Sequence, residues 1–234
     1  MRAEKTIGNK RCYLYTNGEA DVHLIQAVDN HDLEVLDREV KFIKELAPGI
    51  AFTLTAFLIK DWNNELSPWE APAVFGQKDF GAGADNTLRY ITETLLPWLE
   101  ENTGSDHKMD CFLGGYSLSG LFALWAAYQT DRFCGVAAAS PSVWFPGWES
   151  YMEARGIQTP AVYLSLGLKE EKARNKIMST VGTHIRRQYE LLRSTDAVDQ
   201  CTLEWNPGNH FVDSDLRTAK GFAWLLNQRQ EGLR

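Results

Sequence analysis

The stretch richest in chemistry is Gly114-Gly115-Tyr116-Ser117-Leu118-Ser119-Gly120, a serine with small residues two positions before and two positions after it. It follows a β-type apolar run, 109–113, and opens an apolar helical run, 118–129. A nucleophile elbow has this setting: a sharp strand-to-helix turn lifts a serine hydroxyl clear of the backbone and leaves no room for bulky neighbours. The N–H groups at the start of the following helix then face any negative charge that develops beside the serine. A serine capping a tightly packed helix answers to the same letters, so the pattern gains weight only from partners elsewhere in the chain.

A serine hydroxyl is a poor nucleophile until a base takes its proton. Among the five histidines, His23 lies in a strand run, His31 opens a helix, His107 sits in a polar turn beside Lys108, and His184 falls mid-helix near Arg186 and Arg187. His210 differs: Asn206-Pro207-Gly208-Asn209-His210 is a glycine-bearing loop between the last strand run and the last helix. In a doubly wound sheet that loop emerges at the same carboxyl edge as Ser117. The third partner is a carboxylate that orients the imidazole and stabilises its protonated form. The strand run 161–166 ends in Gly167-Leu168-Lys169-Glu170-Glu171, which offers Glu170, with Glu171 as the alternative acid. Both glutamates also suit the first turn of a helix on electrostatic grounds alone. Asp196 and Asp199, before the last strand run, are weaker candidates.

These residues need a scaffold that delivers each from a different strand. Runs 11–16, 22–28, 50–59, 109–113, 135–139, 161–166 and 202–205 read as strands, and 32–46, 84–101, 118–129, 171–193 and 214–228 as helices. In 32–46, Leu33, Leu36, Val40, Ile43 and Leu46 recur at helical spacing, and Pro48-Gly49 stops the helix. Pro97 predicts a kink or break in 84–101. Strands separated by helices imply a mostly parallel sheet of about 6–8 strands with helices on both faces. Their apolar runs lack alternation, as expected when both faces are covered. The expected fold class is α/β, a three-layer sandwich, with residues 1–234 as one domain and no separate lid domain.

Composition narrows the partners. The chain has 234 residues, 24 basic against 31 acidic, and a formal charge of −7. That balance disfavours nucleic acid and anionic membrane, which need clustered Lys and Arg. The apolar runs 50–59 and 136–139 fall well short of the ~20 residues of a membrane span, and residues 1–10 carry no apolar signal segment. Cys12, Cys111, Cys134 and Cys201 are dispersed, with no metal-ligand spacing. They read as small buried hydrophobes in a reducing compartment, so the expectation is a soluble cytoplasmic protein without metal or other cofactor.

The order Ser117, Glu170, His210, each after its own strand, is that of the α/β-hydrolases. With Ser140-Pro141-Ser142-Val143-Trp144, Leu164-Ser165-Leu166-Gly167-Leu168-Lys169-Glu170 and Gly208-Asn209-His210-Phe211, the chain resembles the putative-esterase branch of that superfamily, which includes esterase D-like and enterochelin-esterase-like proteins. The resemblance implies an α/β-hydrolase fold and a serine carboxylic-ester hydrolase working through an acyl-enzyme, without a metal. It places the nucleophile on Ser117, the base on His210 and the acid on Glu170. It also implies an oxyanion hole from the Leu118 N–H and a backbone N–H near Asp29, in the loop Ala27-Val28-Asp29-Asn30-His31-Asp32. Ser119 stands where the family usually has glycine, and the loop at Asp29 lacks the glycines found elsewhere in the superfamily.

Two aromatic loops are expected to rise beside the site, one with Trp62, Trp69, Phe75 and Phe80, the other with Trp144, Phe145, Trp148 and Tyr151. Trp62, Trp69, Trp144 and Trp148 would form an apolar wall for a small-molecule ester, or else close the core or a homodimer interface. Two functional classes stay open: an esterase (or an acyltransferase or thioesterase with the same residues), and a hydrolase-fold binding protein with weak or no turnover.

Overall fold

Apolar runs flanked by turn residues become eight strands of one sheet: β1 (Arg2–Ile7), β2 (Lys10–Thr16), β3 (Val22–Val28), β4 (Thr53–Leu58), β5 (Asp110–Tyr116), β6 (Gly135–Ala139), β7 (Ala161–Gly167) and β8 (Gln200–Asn206). The computed structural model describes residues 2–16, 18–102 and 109–232; His107 and Lys108 lie outside the described residues. The strand order is β1-β2-β4-β3-β5-β6-β7-β8. β2 runs antiparallel to both of its neighbours, whereas β4, β3, β5, β6, β7 and β8 are parallel. The carboxyl ends of β3, β5, β6, β7 and β8 therefore share one edge, where ligands bind in such sheets.

Helices α1 (Asn30–Leu46) and α8 (Ser214–Glu231) cover one face, with Leu36, Val40 and Ile43 meeting Phe222, Leu225 and Leu226 in one core. The other face is covered by α3 (Ala84–Tyr90), α4 (Leu96–Asn102), α5 (Leu118–Gln129) and α7 (Val181–Arg193). Every residue of α5 except Gln129 is buried, which explains a helix that is apolar all round. No helix among the described residues is long and apolar enough to cross a membrane.

Three elements depart from the expectation. β1 is an added strand at the sheet edge; five of its six residues are exposed, so it carries no apolar signal. The expected helix 84–101 passes through a π-helical turn, Ile91–Leu95, just ahead of Pro97. Proline has no N–H to donate four residues back, and the widened turn absorbs that loss. The expected helix 171–193 begins only at Val181, after single 3₁₀ turns at Glu170–Lys172 and Met178–Thr180. Asn175 competes for the backbone there: its Oδ1 accepts from the N–H of Ile177 (2.9 Å) and Met178 (3.2 Å), and its Nδ2 donates to the Val74 carbonyl (2.6 Å). The loops after β4 and β6 contain short helices, α2 (Trp62–Glu65) and α6 (Trp148–Ala154).

Candidate active site

Ser117 joins β5 to α5 with φ 58° and ψ −121°, a backbone region that a residue with a side chain occupies only at a cost of order 1–3 kcal/mol. Its N–H donates to the Ala139 carbonyl (3.1 Å) and its carbonyl accepts from Ser142 N–H (3.0 Å), so the turn is clamped to the end of β6. A Cβ on Gly115 would lie 2.1 Å from Ser119 Oγ, so the elbow needs a glycine there. Ser119 Oγ donates to the Ala27 carbonyl (2.9 Å), which ties the elbow to the end of β3. The serine at this position is thus an anchor that glycine could not supply.

The residues singled out from three separate strands converge. His210 Nε2 lies 3.0 Å from Ser117 Oγ, and His210 Nδ1 lies 2.8 Å from Glu170 Oε2. The side chains of His210 and Glu170 are 22% and 5% exposed, so the imidazole reaches solvent and the carboxylate does not. Glu170 Oε1 accepts from Ser140 Oγ (2.8 Å), Gly167 N–H (2.7 Å) and Arg217 Nη1 (3.0 Å). Burial raises the Glu170 carboxyl, but hydrogen bonding and charge from His210, with the Ser140 and Gly167 donors, outweigh it and hold the group below the ordinary glutamate value. Glu171 faces away and pairs with Arg186 (2.9 Å). Asp199 precedes β8, at the opposite end of the sheet, where its N–H donates to the Pro160 carbonyl (2.8 Å).

The other described histidines have local partners. Buried His23 bonds Thr53, His31 is exposed near Glu34, and His184 Nδ1 meets the Val143 carbonyl at 3.0 Å.

Two expectations are corrected by the geometry. The Asp29 N–H is not free: it donates to Asp32 Oδ2 (3.0 Å), while Asp29 Oδ1 accepts from the N–H of His31 (2.7 Å) and Asp32 (2.9 Å). Asp29 and Asp32 form a reciprocal capping box, because the open first turn of α1 needs its donors satisfied. Burial pushes the Asp32 carboxyl up to about 6. The Leu118 N–H, at the first position of α5, has no carbonyl four residues back within its own helix.

The second correction concerns the aromatic wall. Of the four tryptophans expected to line it, Trp144 alone borders the cavity beside His210. Trp148 is fully buried, its Nε1 donating to Gln188 (3.1 Å). Trp69 packs on Phe145 and Tyr151 and donates to the Pro146 carbonyl, and Trp62 packs against the core from the start of α2. Large rings gain most by burying one another, so the two loops close their own core. The cavity, about 420 Å³, is bordered by His210 and Glu170, by Trp144, Met178 and Phe211, and by Lys169 and Lys172.

Sequence reasoning missed Arg217, a buried guanidinium on α8 that contacts Glu170 and the carbonyls of Pro207 and Asn209. Only an arginine in the first turn of a helix, where a cation is electrostatically disfavoured, marks it in the sequence.

Residues 58–201 match the family model described as "Esterase: Putative esterase". Comparison with curated protein sequences returns no match. The fold is similar to that of the siderophore hydrolase EstA from Aspergillus nidulans (TM-score 0.75, 18% identity, 94% of this chain and 90% of that one). It is also similar to an IroE-like serine hydrolase from Shewanella oneidensis (TM-score 0.80, 15% identity, 97% and 80%). A third similar structure is the enterobactin esterase FES from Shigella flexneri (TM-score 0.66, 16% identity, 97% and 60%). The family match spans well over half of the sequence and contains Ser117 and Glu170, so the chain belongs to the putative esterase family of α/β-hydrolases and is a hydrolase of ester bonds.

Proposed function

We propose that the protein is a single-domain serine esterase in which Ser117 attacks the ester carbonyl, His210 moves the proton and Glu170 orients His210. The observation that carries this reading is the unbroken line from Glu170 through His210 to Ser117, at 2.8 and 3.0 Å, ending on a serine with positive φ. His210 Nε2 accepts the hydroxyl proton as Oγ bonds to the carbonyl carbon, and the carbonyl oxygen takes the negative charge. The Leu118 N–H is one donor to that oxyanion, with the start of α5 behind it. His210 then gives the proton to the departing alcohol, leaving an acyl group on Ser117, and a water activated in the same way releases the acid. An acyl-accepting alcohol or a thioester leaving group would use the same residues.

The cavity suggests the kind of ester. Trp144, Met178 and Phe211 offer apolar and aromatic surface, and Lys169 and Lys172 stand beside them. Neither lysine pairs with a carboxylate among the described residues, although the chain as a whole carries −7. An ester with a flat or apolar portion and an acidic group fits these surroundings. Two of the similar structures are described as a siderophore hydrolase and an enterobactin esterase, which supports a siderophore-like ester as the first substrate to try.

A second reading has one observation in its favour: the Asp29 N–H is engaged by Asp32, so a hydrolase-fold binding protein with little turnover would have the same loop. A fluorophosphonate probe separates the two. Stoichiometric labelling, abolished in Ser117→Ala and slowed at least 100-fold in His210→Ala, is the expected result. Equal behaviour of wild type and Ser117→Ala would sink the enzyme reading.

A further inference from the structure

Arg217 is 1% exposed and sits in the first turn of α8, where the helix dipole opposes a cation. Burying a guanidinium is costly unless its hydrogens and charge are matched, so its partners should explain its position. Nη1 donates to Glu170 Oε1 (3.0 Å), Ser140 Oγ (3.1 Å) and Tyr116 Oη (3.1 Å). Nη2 donates to the carbonyls of Pro207 (2.7 Å) and Asn209 (3.0 Å). Both terminal nitrogens are therefore engaged at the site, while the buried Nε has no hydrogen-bond partner among the described residues.

Those partners stand at the ends of four neighbouring strands: Tyr116 on β5, Ser140 after β6, Glu170 after β7, and Pro207 with Asn209 after β8. The contacts also close on one another. Tyr116 Oη donates to the His210 carbonyl (2.8 Å), and Ser140 Oγ donates to the Glu170 oxygen that Arg217 holds. A Cβ on Gly167 would come within 2.9 Å of Arg217 Nη1, so the fork and that glycine fit each other.

We infer that Arg217 is a positioning residue for ester hydrolysis, one guanidinium fixing both the carboxylate that orients His210 and the loop that carries His210. It touches neither substrate nor Ser117; it acts by keeping the Glu170–His210 bond short and aligned. The inference rests on the proposed roles of Ser117, His210 and Glu170. A lysine would keep the charge but not the fork, since one ammonium lacks the planar array that spans Glu170 and two carbonyls. The charged or titratable groups beside the Glu170–His210 pair are Arg217 from α8, Tyr116 from β5, and Lys169 and Lys172, which border the same cavity. With Arg217 removed, one positive charge fewer opposes the imidazolium.

The test is p-nitrophenyl acetate turnover across pH, with the fluorophosphonate labelling rate, for wild type, Arg217→Met and Arg217→Lys. In Arg217→Met, kcat and the labelling rate should fall by about 10–100-fold with KM little changed. The acid limb of its kcat/KM profile should move to higher pH. In Arg217→Lys, the limb should stay in place while kcat falls at least tenfold. Wild-type kcat in a folded Arg217→Met, or a loss carried by KM with the limb unmoved, would overturn the proposal. If Arg217→Met does not fold, the lysine variant decides: wild-type kcat there overturns the need for the fork. A wild-type protein that neither labels nor turns over would count against the catalytic reading of Ser117 instead.

Discussion

Replacing Glu170 with glutamine keeps the shape of the side chain and changes what it tells the imidazole. In the native site Oε2 accepts from His210 Nδ1, while Oε1 is surrounded by three donors: Ser140 Oγ, Gly167 N–H and Arg217 Nη1. A glutamine must place its oxygen against those three donors, because an NH₂ there would face three other hydrogens. Its NH₂ is then directed at His210 Nδ1 and selects the tautomer whose proton sits on Nε2, where it cannot accept from Ser117. The expected loss in kcat is therefore of the size seen when a triad acid becomes its amide, about 10⁴-fold, or about 5.5 kcal/mol of transition-state stabilisation. Ester turnover by purified Glu170→Gln, with its melting temperature and circular dichroism to establish the fold, measures this directly. Glu171→Gln is the matched control: it loses only a surface pair with Arg186, worth about 0–1 kcal/mol, and should change turnover less than twofold. A folded Glu170→Gln within tenfold of wild type would refute the assignment of the acid.

Three further outcomes follow from other parts of the molecule. Gly115→Ala should lower the melting temperature and the labelling rate together, because the new Cβ would sit 2.1 Å from Ser119 Oγ and 2.9 Å from its backbone carbon; overpacking of this kind costs about 1–3 kcal/mol, measured by denaturant unfolding. His23 should make stability fall in acid. Burial lowers its folded-state value to about 4 from the ordinary 6.5, so its contribution is complete above about 6.5 and is lost as pH falls toward 4. The full effect is about 3 kcal/mol, and His23→Gln should flatten that part of the stability–pH curve. For the cavity, Lys169→Ala/Lys172→Ala should lower kcat/KM for a carboxylate-bearing ester relative to a neutral one by about tenfold, and added salt should shrink the wild-type preference; an unchanged ratio would remove the lysines from substrate recognition.

The parts legible in the sequence are those written in short-range pattern. Buried parallel strands such as 136–139 and 161–164 are unbroken apolar runs, and α1 shows its buried stripe at Leu36, Val40 and Ile43. Ser117, Glu170 and His210 could be placed because each follows one of those strands, and the sheet itself brings strand ends together. What escaped depends on contacts between distant segments. β1 is polar because it lies at an edge, and its pairing with β2 leaves no trace in hydropathy. The choice of Trp144 over Trp148 for the cavity turns on how two loops pack, not on their composition. The Asp29–Asp32 capping box was readable as letters, but its consequence, an amide taken out of use, appears only once the loop is seen beside the elbow. Arg217 lies 47 residues from Glu170 and belongs to no local motif.

The central claim is that Ser117 carries the acyl group between two half-reactions. Rapid-quench turnover of p-nitrophenyl acetate followed by peptide mass mapping tests it most directly. The account predicts a burst of about one p-nitrophenol per chain and an acetyl group on the peptide containing Ser117, both absent in Ser117→Ala. An acetyl group on any other residue, or a burst that survives in Ser117→Ala, would contradict it.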